Sequence, residues 1–326
     1  MRTWQRIKNN PKLIGQYLIR EKVIDTIRSF FKDQNFHEVF TPVLVPIPSI
    51  EPNLEVFQTE LRTSKGLKRR GFLIMSPEFS IKKLLAAGIG NCFEITKCFR
   101  NEEEVSSLHS PEFTMLEWYR IHADYTDIMK DFEHLFGEIL KSVNPKVDLS
   151  KWEYRGEVYD LSFPWPRISF EEAFAKYAKL KIEDVKDEDF YQIFFNKIEP
   201  MLLKMKKPYF IYDYPISQAS LSKRAADGRF AERFEVFLAG VEMGNCFSEL
   251  TDAKEQKKRF EADLAERKRQ GKTEYPIDED LISALKEGLP PVSGIAVGVD
   301  RLIMLAADAP SVSETIFFPV EEIFDV

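Results

Sequence analysis

An aromatic-rich stretch, Glu112-Phe-Thr-Met-Leu-Glu-Trp-Tyr119, carries the clearest indication of a β-sheet in this sequence. Aromatic residues favour strands, and successive side chains of a strand point to opposite faces of its sheet. One face then carries Phe113, Met115, Glu117 and Tyr119. A carboxylate between aromatic rings is unusual, because burying a charge without a partner costs free energy. Two interpretations stay open: Glu117 lies in water at a sheet edge, or it is the acidic floor of an aromatic pocket for a cationic ligand group.

The same combination recurs in Asn245-Cys246-Phe247-Ser248-Glu249, whose first, third and fifth residues share one strand face. Upstream, Glu235 and Glu242 stand near the ends of two short predicted strands, which are joined at Ala239-Gly240. Two carboxylates across such a hairpin can hold Mg²⁺ while phosphates and water complete its coordination. A pair of surface charges is the commoner arrangement, so the pattern alone leaves both interpretations open.

Three further places carry side chains that suit a phosphate ligand. In Phe99-Arg-Asn-Glu102, Arg100 and Glu102 share a predicted strand face, and a forked guanidinium matches phosphate oxygens. In Gly294-Ile-Ala-Val-Gly-Val-Asp-Arg301, the glycines let a ligand approach the backbone, and the arginine at a predicted helix start complements negative charge. The third is His109, in a polar loop. Taken singly, such residues are more often surface pairs or ordinary loop residues, so each is a weak signal.

The order of the predicted elements indicates the fold class. Strands and helices do not alternate regularly, which favours an antiparallel β-sheet with helices packed on it, an α+β fold. The apolar spacing predicts an amphipathic helix over residues 12–31. The pattern weakens over 144–207, which we interpret as an insertion into a single catalytic domain spanning residues 1–326.

Composition excludes several classes of protein. The 326 residues are 44 % hydrophobic and 30 % charged, a mixture typical of soluble proteins. No apolar run of about 18 residues and no cleavable leader is present, so we expect neither a membrane span nor export. Three cysteines suit a reducing cytoplasm, and four scattered histidines indicate no zinc site. The net charge of −7 disfavours tRNA as an obligatory partner, because strong nucleic-acid binders usually carry a positive field.

In order and spacing, these pieces resemble the three signature motifs of class II aminoacyl-tRNA synthetases. Residues 36–46 resemble motif 1, the dimer-forming helix and strand; residues 99–119 resemble motif 2; and Gly298-Val-Asp-Arg301 resembles motif 3. Within that class, HSPEFTMLEWYR (109–120) and EMGNCFSELTDAKEQ (242–256) resemble lysyl-tRNA synthetase cores. The resemblance covers nearly the whole chain. It implies ATP-dependent activation of an amino acid, with Mg²⁺, in a homodimer.

The resemblance also implies a role for each matching residue. The residues that would bind ATP are Arg100 at the α-phosphate, Glu102 beside adenine, His109 at the terminal phosphates, Phe113 stacked on adenine, Glu242, and Arg301 at the γ-phosphate. Two of them, Arg100 and Arg301, would act as the catalytic residues by neutralising charge, while Glu235 and Glu242 would ligate Mg²⁺. Glu78 would meet the substrate's amino group near the reacting end. The pocket for the distal ammonium would consist of Glu117, Tyr119, Asn245, Phe247 and Glu249.

Two features distinguish branches of this family. Motif 1 begins by about Phe36, so we expect no N-terminal anticodon-binding barrel. Such short lysyl-tRNA synthetase paralogues resemble the elongation factor P–(R)-β-lysine ligases. Ser76 and Ala296 match these ligases, whereas lysyl-tRNA synthetases typically have alanine and glycine there; Gln218-Ala-Ser-Leu221 also matches the ligases. One departure is Cys246, where relatives usually have glycine.

The resemblance therefore implies activation of (R)-β-lysine as an adenylate and its transfer to a lysine side chain of elongation factor P. A truncated enzyme that activates α-lysine for tRNA or for a small acceptor is the alternative. A catalytically dead paralogue is disfavoured, because the phosphate-binding arginines and the acidic pair are all present.

Overall fold

The computed structural model describes residues 2–11 and 13–325. Within the chain, two compact units can be distinguished. Unit 1 comprises Met1–Ile121, Thr251–Pro290 and Ala296–Val326, and unit 2 comprises His122–Leu250 and Pro291–Ile295. None of the helices in the described ranges is long and apolar enough to cross a membrane.

Helices and strands are numbered along the whole chain. The helices are α1 (Thr3–Asn9), α2 (Leu13–Lys32), α3 (Glu78–Ala86), α4 (Tyr125–Val143), α5 (Phe170–Ala173), α6 (Asp187–Ile193), α7 (Glu199–Leu202), α8 (Ala253–Arg269), α9 (Glu279–Glu287), α10 (Val299–Ala306) and α11 (Val320–Phe324). The strands are β1 (His37–Glu38), β2 (Leu44–Val45), β3 (Gln58–Arg62), β4 (Lys68–Leu73), β5 (Cys92–Phe99), β6 (Glu112–Ile121), β7 (Trp152–Tyr154), β8 (Glu157–Tyr159), β9 (Arg167–Ser169), β10 (Tyr209–Pro215), β11 (Phe230–Leu238), β12 (Val241–Ser248) and β13 (Val292–Gly298). Short π-helical segments, Phe174–Ala178 and Phe194–Ile198, continue α5 and α6.

The strands β1, β5 and β6 of unit 1 carry a helix on one face and candidate site residues on the other. β1 pairs parallel with β5, and β5 pairs antiparallel with β6. Phe31 of α2 stacks on Phe93 at 5.0 Å between ring centroids and lies 5.1 Å from Trp118. Because Trp118 faces α2, the alternating residues Met115, Glu117 and Tyr119 occupy the opposite face. A separate small sheet has the order β2-β4-β3.

Unit 2 contains an antiparallel hairpin that carries further candidate residues. β10, β11 and β12 pair antiparallel in that order, and β9 pairs parallel with β10. β11 and β12 are joined at Ala239 and Gly240, whose φ angles are 51° and 78°. Positive φ at both central residues is typical of tight hairpin turns, which is why the chain reverses at this small pair.

Residues 144–207 fall within unit 2. They contain the hairpin β7–β8 and the helices α5 to α7, and they bury Phe170, Phe174 and Phe190 in one cluster with Tyr209 and Ile211 of β10. The apolar faces of these short helices are thus buried against one another and against β10. That this segment is an insertion into a single domain stays a prediction.

The α+β class predicted from the sequence is confirmed, with helices flanking β-strands. The strand pairing is mixed rather than purely antiparallel, because β1 with β5 and β9 with β10 are parallel pairs. The hairpin of β3 and β4 was not predicted, since all five β3 residues are exposed and show no apolar alternation. The first predicted helix is confirmed as α2, although Lys12 lies outside the described residues.

Candidate active site

Glu117 is buried, so the interpretation that it lies in water at a sheet edge is wrong. Only 1 % of the residue is exposed. The Ser76 hydroxyl donates to its Oε1 at 2.5 Å, and the Tyr119 hydroxyl donates to its Oε2 at 2.9 Å. The strand alternation correctly placed Glu117 and Tyr119 together. A carboxylate held by rotatable hydroxyl groups in a buried setting is chemically suited to receive a cation.

Ser76 links this carboxylate to the start of α3. Its Oγ donates to Glu117 and accepts the backbone N–H of Glu78 at 3.0 Å. Ser76 also lines a cavity of about 540 Å³, whose walls include Pro42, Val45 and Phe79. An alanine at position 76 would lose both hydrogen bonds. Ser76 therefore influences the orientation of Glu117 directly.

Glu78 has a partner that the sequence interpretation missed. Its Oε1 lies 2.5 Å from Lys82 Nζ, one helical turn later, and both residues are buried. The signal was present, because an acid followed four residues later by a lysine is a favourable helix pair. One oxygen of Glu78 is thus engaged by Lys82, and its predicted contact with a substrate amine stays a prediction.

Arg100 and Phe113 are brought together, with the guanidinium 5.0 Å from the ring centroid. The Nε of Arg100 is buried and has no hydrogen-bond partner in the described ranges. An unsatisfied buried donor costs free energy unless a ligand accepts from it, and a guanidinium matches phosphate oxygens. The donor and the neighbouring ring thus fit a phosphate and an aromatic base.

Glu102 does not share a strand face with Arg100, contrary to the sequence prediction. β5 ends at Phe99, and Glu102 adopts a left-handed φ of 57° in an exposed turn. Strand alternation therefore does not extend to it. The turn arises because Asn101 forms an isolated bridge with Glu55 instead of continuing the pairing with β6.

His109 and Arg301 lie in direct contact. Nη2 of Arg301 is 2.8 Å from Nε2 of His109, whose Nδ1 is 3.0 Å from Ser106 Oγ. Because a guanidinium can only donate, Nε2 must accept, and the Nδ1–H then donates to Ser106. Burial, and then the nearby charge of Arg301, lower the pKa of His109. The pair therefore presents a cation beside a neutral imidazole.

Asp300, which the sequence analysis did not assign to the site, fixes the start of α10. Its carboxylate accepts the backbone N–H of Thr114 at 2.6 Å and pairs with Arg20 of α2. This contact ties the helix that carries Arg301 to β6, next to Phe113. Ala296 packs against the cluster of Ile74, Cys98 and Met115. The residues next to Asp300 in the sequence gave no local signal for Thr114 and Arg20, which are distant along the chain.

In unit 2, a β-bulge places the two acids of the predicted metal pair on one face. Glu235 stands opposite Asn245 and Val236 opposite Gly244, but Phe237 stands opposite Glu242, so Met243 is an extra residue. The bulge therefore brings Glu242 to the face of Glu235. Diagonal neighbours of this kind lie roughly 7–8 Å apart, within reach of long side chains.

These two carboxylates fit the donor chemistry of Mg²⁺, which often takes one or two protein carboxylates beside nucleotide phosphates. Among the residues that the structure describes, no group of three or more histidine, cysteine or acidic side chains could hold a metal. A metal at Glu235 and Glu242 would thus need oxygens from a bound nucleotide and water.

Arg233 was missed by the sequence analysis and connects several predicted residues. Its guanidinium donates to Asn245 Oδ1 at 3.1 Å and to Glu235 Oε1 at 2.7 Å. It also lies 5.7 Å from the centroid of the Phe247 ring, which stands opposite it in the hairpin. The signal that could have found it is its position two residues before Glu235, on the same strand face.

Cys246 points away from the face that carries Asn245 and Phe247. It is fully buried, and its Sγ lies 3.6 Å from Ser293 Oγ, which donates to the backbone oxygen of Phe247. Burial raises the pKa of this thiol, which stays protonated. The departure from glycine is therefore accommodated in the core. Glu249 follows the last residue of β12; it is 2 % exposed, and its backbone N–H donates to the backbone oxygen of Val292.

Comparison with known proteins tests the resemblance to class II aminoacyl-tRNA synthetases. The family model described as tRNA synthetases class II (D, K and N) matches residues 3–322. An elongation factor P–(R)-β-lysine ligase of Proteus mirabilis is 40 % identical over 318 residues, which cover 94 % of this chain and 95 % of that protein. A protein of the same name from Salmonella paratyphi A is 40 % identical over 329 residues, 98 % of each chain. The resemblance predicted from the motifs is confirmed: the chain belongs to the class II tRNA synthetase family (D, K and N) and is a ligase.

Proposed function

We propose that this protein activates (R)-β-lysine with ATP and transfers it to a lysine side chain of elongation factor P. The observation that carries the proposal is the contact between Ser76 and Glu117. Serine at this position distinguishes the β-lysine ligases from lysyl-tRNA synthetases, and here its hydroxyl bonds the carboxylate proposed to bind the substrate ammonium. The relatives that bear the ligase name match nearly the whole chain.

The activation step needs charge neutralisation more than a protein nucleophile. The substrate carboxylate attacks the α-phosphorus of ATP, the bond to the β-phosphate breaks, and pyrophosphate leaves. Arg100, with its unsatisfied Nε, is proposed to bind the α-phosphate, and Phe113 to stack on adenine. Arg301 and His109 are proposed to bind the terminal phosphates, and the exposed Glu102 to contact the adenine side. Electrostatic stabilisation by such donors is often the largest catalytic contribution.

Mg²⁺, when bound, would neutralise phosphate charge during this step. Glu235 and Glu242 are proposed to hold it, since the bulge places both on one face. The remaining assignments concern the amino acid. Glu117, Tyr119, Asn245, Phe247 and Glu249 are proposed to bind the distal ammonium. Glu78 is proposed to meet the amine near the reacting carboxylate, and Ala296 to limit the space beside it.

In the second step, a neutral lysine amine of elongation factor P attacks the adenylate carbonyl. An amide forms, AMP leaves, and the amine loses a proton. We further propose that the protein is a homodimer through motif 1, acts without tRNA and is cytoplasmic. The cysteines Cys92, Cys98 and Cys246, all free and buried, are in line with a reducing compartment.

The test is ATP–pyrophosphate exchange with (R)-β-lysine and α-lysine side by side, followed by transfer to purified elongation factor P or to tRNA. We expect exchange to prefer (R)-β-lysine and the label to appear on the protein. An Arg100→Met control should lower exchange by about 100-fold or more while the protein stays folded. Preference for α-lysine with labelled tRNA would establish the truncated-synthetase alternative, and no exchange with either amino acid would overturn the proposal.

A further inference from the structure

Arg233, on β11, contacts several residues of the β11–β12 hairpin and the segment before it. Only 11 % of it is exposed. Its three guanidinium nitrogens each donate to a different acceptor: Nε to Asn245 Oδ1 at 3.1 Å, Nη1 to the backbone oxygen of Gln218 at 2.7 Å, and Nη2 to Glu235 Oε1 at 2.7 Å. The guanidinium also stacks 4.1 Å from the centroid of the Tyr214 ring. Such a set fixes both the position and the plane of the group.

The contact with Asn245 determines which end of that amide is offered to a ligand. A guanidinium has five donors and no acceptor, so the amide oxygen, and not the nitrogen, must face Arg233. The NH₂ group of Asn245 is then turned away from Arg233. The amide oxygen has a second lone pair, so it can still accept from a substrate ammonium, while the NH₂ group can donate to another part of the ligand.

The same guanidinium contacts two further residues on the face of the β11–β12 hairpin that carries Asn245. Glu235 is paired with it, and Phe247 stands opposite Arg233 with its ring centroid 5.7 Å from the guanidinium carbon. Lysine has a single ammonium on a flexible stem and cannot reproduce three donors in one plane. The arrangement thus depends on arginine geometry as well as on charge.

We infer that Arg233 is a positioning residue for amino-acid activation, which holds the Asn245 amide and the Phe247 ring in the orientation that the bound amino acid requires. It is not proposed to touch the substrate. The inference rests on the proposed function, because that function places these neighbours at the ligand. Neither the family motifs nor the relatives' names assign a role to this arginine.

The experiment compares Arg233→Lys with the wild type in ATP–pyrophosphate exchange. We expect the KM for (R)-β-lysine to rise about tenfold to a hundredfold, the range that a lost charge-assisted hydrogen bond allows, while kcat changes less than about threefold. Titration of the unreacted enzyme with (R)-β-lysine should show the same loss of affinity. Arg233→Met, which also removes the charge, should raise the KM for (R)-β-lysine more than Arg233→Lys does. If the methionine variant does not fold, the KM of the lysine variant alone tests the positioning role.

Asn245 provides a second, independent readout. Asn245→Ala should raise the same KM, and adding Arg233→Lys to it should change the KM less than about twofold, because residues that act through one contact are not additive. Arg167→Lys is the matched control. Arg167 lies in the same unit, pairs with Glu133 at 3.6 Å and lies over Phe210 at 5.8 Å. Among the described residues, its hydrogen bonds and ion pairs do not involve Glu235, Asn245 or Phe247. It should alter the melting temperature without altering the KM.

An unchanged KM in Arg233→Lys, or full additivity with Asn245→Ala, would overturn the positioning role. A KM effect equal to that of Arg167→Lys would do the same, because it would indicate a general loss of stability. These outcomes are separable from failure of the proposed function, since that failure appears as absent exchange by the wild-type protein with either lysine isomer.

Discussion

Two buried glutamates, Glu94 on β5 and Glu117 on β6, stand directly opposite each other but have different surroundings. Each is 1 % exposed. Glu117 accepts from two side-chain hydroxyls, those of Ser76 and Tyr119. Glu94 accepts from the backbone N–H of Thr41 at 2.8 Å, and its Oε2 has no hydrogen-bond partner within the described part of the chain.

The difference shows that burial of an acid does not by itself mark a binding site. Hydroxyl groups rotate, so Ser76 and Tyr119 can adjust when a cation reaches Glu117. A backbone N–H is fixed, and it ties Glu94 to the segment that precedes β2. Burial also raises the pKa of Glu94, which favours its uncharged form. We therefore expect Glu117 to bind the ligand and Glu94 to have a structural role.

The largest effect is expected from Glu117→Gln, which keeps the side-chain size and removes the charge. The KM for (R)-β-lysine in pyrophosphate exchange should rise about 100- to 1000-fold, because an ammonium would lose its buried counter-charge, a loss of about 3–4 kcal/mol. The melting temperature should stay equal or rise, since no charge has to be buried. Exchange kinetics and thermal unfolding measure the two effects.

Glu94→Gln is the matched control for that substitution. It removes an equally buried carboxylate from the neighbouring strand, and it should change the same KM far less than Glu117→Gln does, because Glu94 accepts from the Thr41 backbone and is not proposed to contact the ligand. Equal losses in the two variants would break the comparison and would show that both acids serve the ligand.

Ser76→Ala tests what the hydroxyl adds to Glu117. The preference for (R)-β-lysine over α-lysine, taken as the ratio of kcat/KM values, should fall by about 10- to 100-fold, as expected when one small group discriminates homologous substrates. Ser80→Ala removes a hydroxyl one turn further along α3, beside the same cavity, and should leave the ratio unchanged. An unchanged ratio in Ser76→Ala would assign the preference elsewhere.

The features that could be predicted from the sequence are those set by local alternation. The shared strand face of Glu117 and Tyr119 and the hairpin at Ala239 and Gly240 follow from strand periodicity and turn chemistry. Glu94 has the same local pattern as Glu117, since it too alternates with apolar neighbours. Its contact with Thr41, 53 residues away, is what separates the two acids, and no local rule encodes it.

The features that could not be predicted arise where regular geometry breaks or where distant segments meet. The extra residue at Met243 changes the face of Glu242, and the left-handed turn at Glu102 ends the alternation from Arg100. Arg233 shares a face with Glu235 by simple parity, yet its bond to Gln218 depends on a loop 15 residues earlier. Bulges and loop contacts are decided by tertiary packing, so sequence periodicity cannot fix them.

A smaller effect is expected from Tyr119→Phe, which keeps the ring and removes one of the two hydrogen bonds to Glu117. The KM for (R)-β-lysine should rise about tenfold, which corresponds to about 1.5 kcal/mol, the low end for a single hydrogen bond to a charged group. Tyr17→Phe is the control, because the Tyr17 hydroxyl is buried without a hydrogen-bond partner in the described ranges. If Tyr119→Phe raised the KM for (R)-β-lysine more than Ser76→Ala does, the Tyr119 hydroxyl would be the more important of the two.

The smallest effect is expected in the pH dependence of thermal stability. Comparing the wild type with Glu94→Gln measures the part of this dependence that is due to Glu94. Its pKa is raised in the folded state by burial, against the opposing hydrogen bonds from Thr41. Below the ordinary carboxyl pKa, Glu94 is protonated in both the folded and the unfolded chain, and its burial carries no charge cost. As the pH rises through the folded pKa, the unfolded state releases its proton more easily, so the wild type loses stability relative to Glu94→Gln. Thermal melts of both proteins between about pH 4 and 7 should therefore show the glutamine variant gaining on the wild type as the pH increases. A melting difference that stays constant across this range would mean that Glu94 does not titrate differently on folding, and the two acids would then have to be distinguished by their hydrogen-bond partners alone.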